Sequence, residues 1–172
     1  MRKANDLRRW LTAYLPDLKK NPENLSIYID AGRINARRSK TLSFSYSYAL
    51  KVTIFDFAAD PDTLMVPILA WIEKEQPQLL QRADSQPFGF EAQPLDSEKF
   101  DIEIAIDLTE PVLVIPRPDG SGYDVEHIPE PKFPDSFAGV HASFLQGFGN
   151  TELLVETEDP EAVLTPAVPP TA

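Results

Sequence analysis

The chain has 172 residues, 42% hydrophobic and 25% charged, with no cysteine: enough for one domain with its own core but not two comfortable ones, and without disulfides, thiolate metal sites or thiol nucleophiles. Its net charge of −11 divides unevenly, residues 1–51 holding 11 basic against 4 acidic residues, a surplus of +7, and the remainder 5 against 23, or −18. The acidic part disfavours phosphate binding, whereas the asymmetry favours oriented contact between copies, basic half to acidic half.

Arg2, Lys3, Arg8 and Arg9 are followed by no apolar run of signal-peptide length. Nothing approaches the roughly 20 apolar residues of a membrane span. A soluble protein made in the cytosol is the expectation.

Asn5 or Asp6 can cap a first helix, in which Leu7, Trp10, Leu11 and Tyr14 recur at helical spacing before Pro16 ends it. Leu25, Ile27 and Ile29 alternate with Ser26, Tyr28 and Asp30, the pattern of a half-buried strand. Ala31-Gly32 then reads as a tight hairpin turn leading into residues 34–36. From Leu42 to Ile54 every even position is apolar or aromatic, against Ser43, Ser45, Ser47, Ala49, Lys51 and Thr53. Paired throughout, that run would span roughly 40 Å. It is either a long strand whose end projects as an arm, or a twisted central strand within one sheet.

Asp60-Pro61 is a helix start, the carboxylate capping free N–H groups and proline tolerated in the first turn. Leu64, Met65, Val66, Ile68, Leu69, Trp71 and Ile72 make the following helix the expected centre of the core. Pro67 implies a kink or a late start. Phe88, Phe90 and Ala92 alternate again, as do Phe100, Ile102, Ile104, Ile106 and Leu108 against Asp101, Glu103 and Asp107. Residues 112–115, the Pro118-Asp119-Gly120 turn and residues 123–127 form a last hairpin. The expected fold is α+β: a mainly antiparallel or mixed sheet flanked by two or three helices. Residues 1–128 form this domain, and 129–172 a proline-rich extended arm or partly disordered tail. Phe133, Phe137, Phe144 and Phe148 lie within it, too many hydrophobes for a spacer.

No phosphate-binding glycine loop, dinucleotide fingerprint or nucleophile elbow is present. His127 and His141, without cysteine or an H-E-x-x-H arrangement, read as ordinary surface residues. Asp56, Asp60 and Asp62 cluster between a strand and a helix, but capping and dipole complementarity account for the latter two. No catalytic, cofactor or metal site is expected. Arg33, Arg37, Arg38 and Lys40, near the tip of the long strand, are the candidate contact device between copies, joined by Phe144 and Phe148.

Several stretches resemble the tail completion protein R family of contractile-tailed temperate phages and phage-tail-like bacteriocins. They are Asn21-Pro22-Glu23-Asn24-Leu25 with Ile29-Asp30-Ala31-Gly32, Leu42-Ser43-Phe44-Ser45-Tyr46, and above all Asp56-Phe57-Ala58-Ala59-Asp60 leading into Met65-Val66-Pro67-Ile68-Leu69-Ala70-Trp71. Ile106-Asp107-Leu108-Thr109-Glu110 and His127-Ile128-Pro129-Glu130-Pro131 extend the likeness over about the first 130 residues. The resemblance implies a structural, non-enzymatic virion protein that caps the head-proximal end of tube and sheath. Implied partners are itself in a ring, expected to be a hexamer, the tube and sheath proteins, and head-connector or collar proteins, with DNA sliding through the lumen and no sequence-specific nucleic acid. It implies no catalytic residues and no cofactor. The alternative is an acidic assembly factor or chaperone for a basic tail protein, absent from the finished particle. A metal-dependent hydrolase on Asp56, Asp60 and Asp62 ranks behind both.

Overall fold

The computed structural model describes residues 1–81, 84–131, 143–146 and 153–157. Two long strands frame it: β2 (Phe44–Phe57) and β4 (Phe100–Pro116) pair antiparallel from Phe44 opposite Val112 to Phe57 opposite Phe100. Their even-numbered residues share one face, where Tyr48, Leu50, Val52, Ile54, Ile102, Ile104, Ile106 and Leu108 are buried. Alternating apolar and polar residues give a sheet one dry and one wet face. β1 (Leu25–Ala36) pairs antiparallel with the other edge of β2. β3 (Gly89–Pro94) and β5 (Tyr123–His127) both pair with the outer edge of β4, at its two ends. The order is β1-β2-β4-β3, with β5 as the fifth strand. A separate antiparallel pair is formed by β6 (Ser143–Gln146) and β7 (Leu153–Thr157).

Three helices, α1 (Lys3–Tyr14), α2 (Pro16–Lys20) and α3 (Asp62–Glu75), supply the residues that cover the dry face. Leu7, Trp10, Leu11 and Tyr14 of α1 and Leu64, Ile68, Trp71 and Ile72 of α3 recur every three or four residues and join the sheet in one core. The Trp10 indole N–H donates to the Pro67 carbonyl at 3.0 Å, tying the two helices together. The fold is α+β, with an antiparallel five-stranded sheet. No helix among the described residues is long and apolar enough to cross a membrane.

Several expectations are corrected. α1 starts at Lys3 with Arg2 at the cap position, not at Asn5 or Asp6, and Pro16 ends it by opening α2. β1 does not turn at Ala31-Gly32: an irregularity between Ile29 and Ala31 shifts the phase, so that Gly32, Ile34 and Ala36 take over the face held by Leu25, Ile27 and Ile29. The connection to β2 comes later, at residues 37–43. β2 is paired on both sides from Phe44 to Ile54, so it is a central strand of one sheet. α3 starts before Pro67 and continues through it, which removes the late start.

β4 also runs unbroken through Pro111, where two strands were expected. Proline interrupts a ladder only on the side its nitrogen faces. The Pro111 carbonyl accepts the Ile128 N–H at 3.1 Å, so Pro111 addresses the outer edge of β4. That edge is free of strand partners between Ala105, where β3 stops, and Val112, where β5 begins.

Candidate assembly surface

The sheet outgrows its helical cover. Toward one end, called distal here, the hairpin of β1 and β2 with its 37–43 connection and the hairpin of β4 and β5 with its 117–122 turn extend past the main core cluster, which ends at Tyr46, Tyr48 and Leu108, although Val112 and Val114 of β4 are still buried there. The Val114 N–H donates to Ser43 Oγ at 3.0 Å and links the two hairpins. Arg33, Arg37, Arg38 and Lys40 are all exposed here, and no ion pair among the described residues engages them. Ile34, Leu42, Tyr123 and Val125 stand among them, 58%, 63%, 53% and 61% exposed. The distal end therefore combines unpaired cationic groups with uncovered apolar ones, as contact surfaces do.

A buried polar lock holds this end to the body. Glu110 occupies an even position of β4, where an apolar residue would continue the pattern, and is 3% exposed. Its carboxylate accepts the backbone N–H groups of Arg2 at 3.0 Å and Lys3 at 3.3 Å, and the Tyr48 hydroxyl also donates to it. The first turn of α1 leaves its N–H groups unpaired and carries positive potential. Glu110 satisfies both needs from another strand, which explains a helix start without a local capping side chain. Burial raises the Glu110 pKa, but the Tyr48 hydroxyl, the two N–H groups and the terminal ammonium outweigh it and hold the carboxyl below its ordinary value. Burial and the adjoining carboxylate push the Tyr48 phenol far up, so it remains a neutral donor.

Around the lock, Lys3 Nζ donates to Gln76 Oε1 and Glu130 Oε1, each at 2.7 Å, and both ends of the ion pair are under 10% exposed. Gln76 Oε1 also accepts the Thr109 N–H at 3.1 Å, filling the strand gap on the outer edge of β4 as a missing neighbour would. Gln76 Nε2 donates to Thr109 Oγ1 at 3.0 Å and Gln78 Nε2 to Glu130 Oε2 at 2.6 Å. The N-terminus, the end of α3, the middle of β4 and residues 128–131 are thus joined in one network, which fixes the base of the distal hairpins. A largely satisfied buried network of this kind specifies one arrangement of the elements it joins.

His127 is not the ordinary surface residue expected. Its ring stacks on Tyr46 with 6.5 Å between centroids, and its buried Nδ1 lies 3.3 Å from Glu110 Oε2. His141 and Phe148 lie outside the described residues; Phe144 falls in β6, where only the backbone is described. Arg33, Arg37, Arg38 and Lys40 do share one end of the sheet, as the sequence suggested. The lock residues Lys3, Gln76, Glu110 and Glu130 were missed, although a glutamate at an even position between Leu108 and Val112 was the available signal.

The three aspartates serve local structure. Asp60 Oδ1 accepts the Asp62 N–H at 2.9 Å, and Asp56, at φ 52, pairs with Lys99 at 3.6 Å. No group of three or more potential ligands is gathered for a metal ion among the described residues. Glu103, on the wet face of β4, bonds Lys51 at 2.5 Å across the sheet.

A family model described as P2 phage tail completion protein R (GpR) matches residues 1–131. The chain is similar to the tail completion protein R of Escherichia phage P2, with 39% identity over 149 residues, 86% of this chain and 95% of that protein. No solved structure matches it. The match runs from the N-terminal turn that Glu110 caps to the Glu130 carboxylate that closes the network, and the chain belongs to the P2 phage tail completion protein R family.

Proposed function

We propose that the protein completes a contractile phage tail by closing the head-proximal end of tube and sheath as a ring of identical copies, six in number, and offering its outer surface to a head connector or collar. Membership of the tail completion family over residues 1–131 carries the reading of a structural component of tail assembly. The unpaired cationic groups of the distal end support the ring: they are rigidly based, exposed, and opposed within each copy by an acidic remainder of −18. Such a body suits head-to-tail contacts that close. Its work is binding and termination, with no catalytic step or cofactor. An acidic lumen would let DNA slide without sticking. Residues 132–172, including Phe144 and Phe148, act as an arm that adds contacts to a neighbour.

Reversing Arg33, Arg37 and Arg38 to glutamate tests the reading. These side chains make no packing contacts that the fold depends on, so the melting temperature should stay within about 3 °C of wild type, as for surface changes of about 0.5 kcal/mol. Completed tails, counted by electron microscopy, should fall at least about tenfold, the effect of losing about 1.4 kcal/mol at a contact. A wild-type tail count from the folded variant would count against the distal end as a contact.

A further inference from the structure

At its distal end the sheet has two open edges, the outer edge of β1 and that of β5, and among the described residues no strand covers either. Their directions are opposed. β1 is antiparallel to β2, β2 to β4 and β4 to β5, so β1 and β5 run oppositely at the two borders of one sheet. Two copies facing the same way can therefore join β1 to β5 as an antiparallel pair without reversing either copy, a contact that repeats head to tail.

Hydrogen-bonding phase and side-chain pattern agree with such a seam. The Pro111 carbonyl and Thr109 N–H point to the outer edge of β4, so its even residues address β2. Odd residues of β2 then address β1, leaving Gly32, Ile34 and Ala36 to turn their backbone groups outward. By the same alternation Tyr123, Val125 and His127 turn outward on β5. These two sets both lie on the core-facing side of the sheet, and Ile34, Tyr123 and Val125 are more than half exposed. On the opposite face β1 carries Arg33 and Asn35, and β5 carries Asp124 and Glu126. One edge is apolar and basic by turns, the other apolar and acidic.

We propose that the outer edge of β1 in one copy pairs antiparallel with the outer edge of β5 in the next, Ile34 opposite Val125. This register sets Gly32 opposite His127 and Ala36 opposite Tyr123, small residues against rings, and Arg33 opposite Glu126. Continued into the turns, it brings Lys40 beside Asp119. The inference rests on the ring reading above and names the surface that makes the ring.

The chain has no cysteine, so a disulfide can report this register directly. Directly opposite residues that exchange hydrogen bonds have Cα atoms about 5.5 Å apart, within disulfide reach. Inside one copy Ile34 and Val125 are three strand spacings apart, about 14 Å, and also offset by the step from Glu110 to Val114 along β4, well beyond it. An Ile34→Cys/Val125→Cys variant is supplied as the sole copy during tail assembly, and the oxidised particles are run on a non-reducing denaturing gel. A ladder of covalent multiples ending at the ring size is expected, with each single variant staying monomeric. An Arg33→Cys/Glu126→Cys variant, on the opposite face at exposed positions, should give the same ladder if the first does not assemble. Variants that enter particles in ring stoichiometry yet stay monomeric on the gel would overturn the edge pairing and leave the ring intact. Finding wild-type protein in particles as a single copy would instead overturn the ring itself, and the pairing with it.

Discussion

Replacing Glu110 with alanine is expected to lower stability by about 3 kcal/mol, read as a drop in urea midpoint with unchanged slope. The substitution strands two backbone donors of α1 and the Tyr48 hydroxyl, which end on this carboxylate. Buried donors left without an acceptor cost about 1–3 kcal/mol each, and relaxation toward water recovers part of that. Glu110→Gln keeps an acceptor but loses the charge at the helix start and should cost about 1.5 kcal/mol. The folded carboxyl has a depressed pKa. Its contribution is therefore complete above the unfolded value of about 4.3 and is lost as pH falls through the lower folded value. The gap between wild type and Glu110→Gln should thus narrow between neutral pH and about pH 3. Urea midpoints at both ends decide it: a gap of constant size would mean that the charge of Glu110 contributes nothing.

Trp71→Ala is expected to cost about 4 kcal/mol, the range for emptying an indole from a packed core. Trp71 is 0% exposed on α3, and its indole N–H donates to Asp6 Oδ2 at 3.2 Å, joining α3 to α1 as well as filling space. Phe90, 60% exposed on the edge strand β3, serves as the contrast, and Phe90→Ala should change stability by less than about 0.5 kcal/mol. Thermal or urea unfolding of both variants checks the pair. A Trp71→Ala cost under about 2 kcal/mol would mean that the helices do not pack on the sheet as described.

What could be read from the residues was the part governed by local periodicity. The alternation through Leu50, Val52 and Ile54 and the helical recurrence of Leu64, Ile68, Trp71 and Ile72 gave strand, helix and buried face together. Two glycine or proline signals misled because their meaning depends on neighbours. Ala31-Gly32 has turn chemistry, yet β2 pairs with β1 past this point and an irregularity at Asp30 absorbs the change of phase. Pro111 breaks a strand whose nitrogen must find a partner, yet here it faces a gap in the sheet. The start of α1 was misplaced because its cap comes from Glu110, more than a hundred residues away, which no window of sequence contains. Arg33, Arg37, Arg38 and Lys40 were legible as one surface because exposed charge near a strand end needs no tertiary knowledge. The edge phases of β1 and β5 were not legible, since they depend on where β1 changes phase and on how β4 is shared.

Electron microscopy of tails assembled without this protein tests the central claim most directly. If the copies stop a growing tube and sheath, tails lacking them should be overlong or irregular in length, with open head-proximal ends, and restoring the wild-type chain should return one length. Tails of normal length with closed ends in its absence would contradict the account.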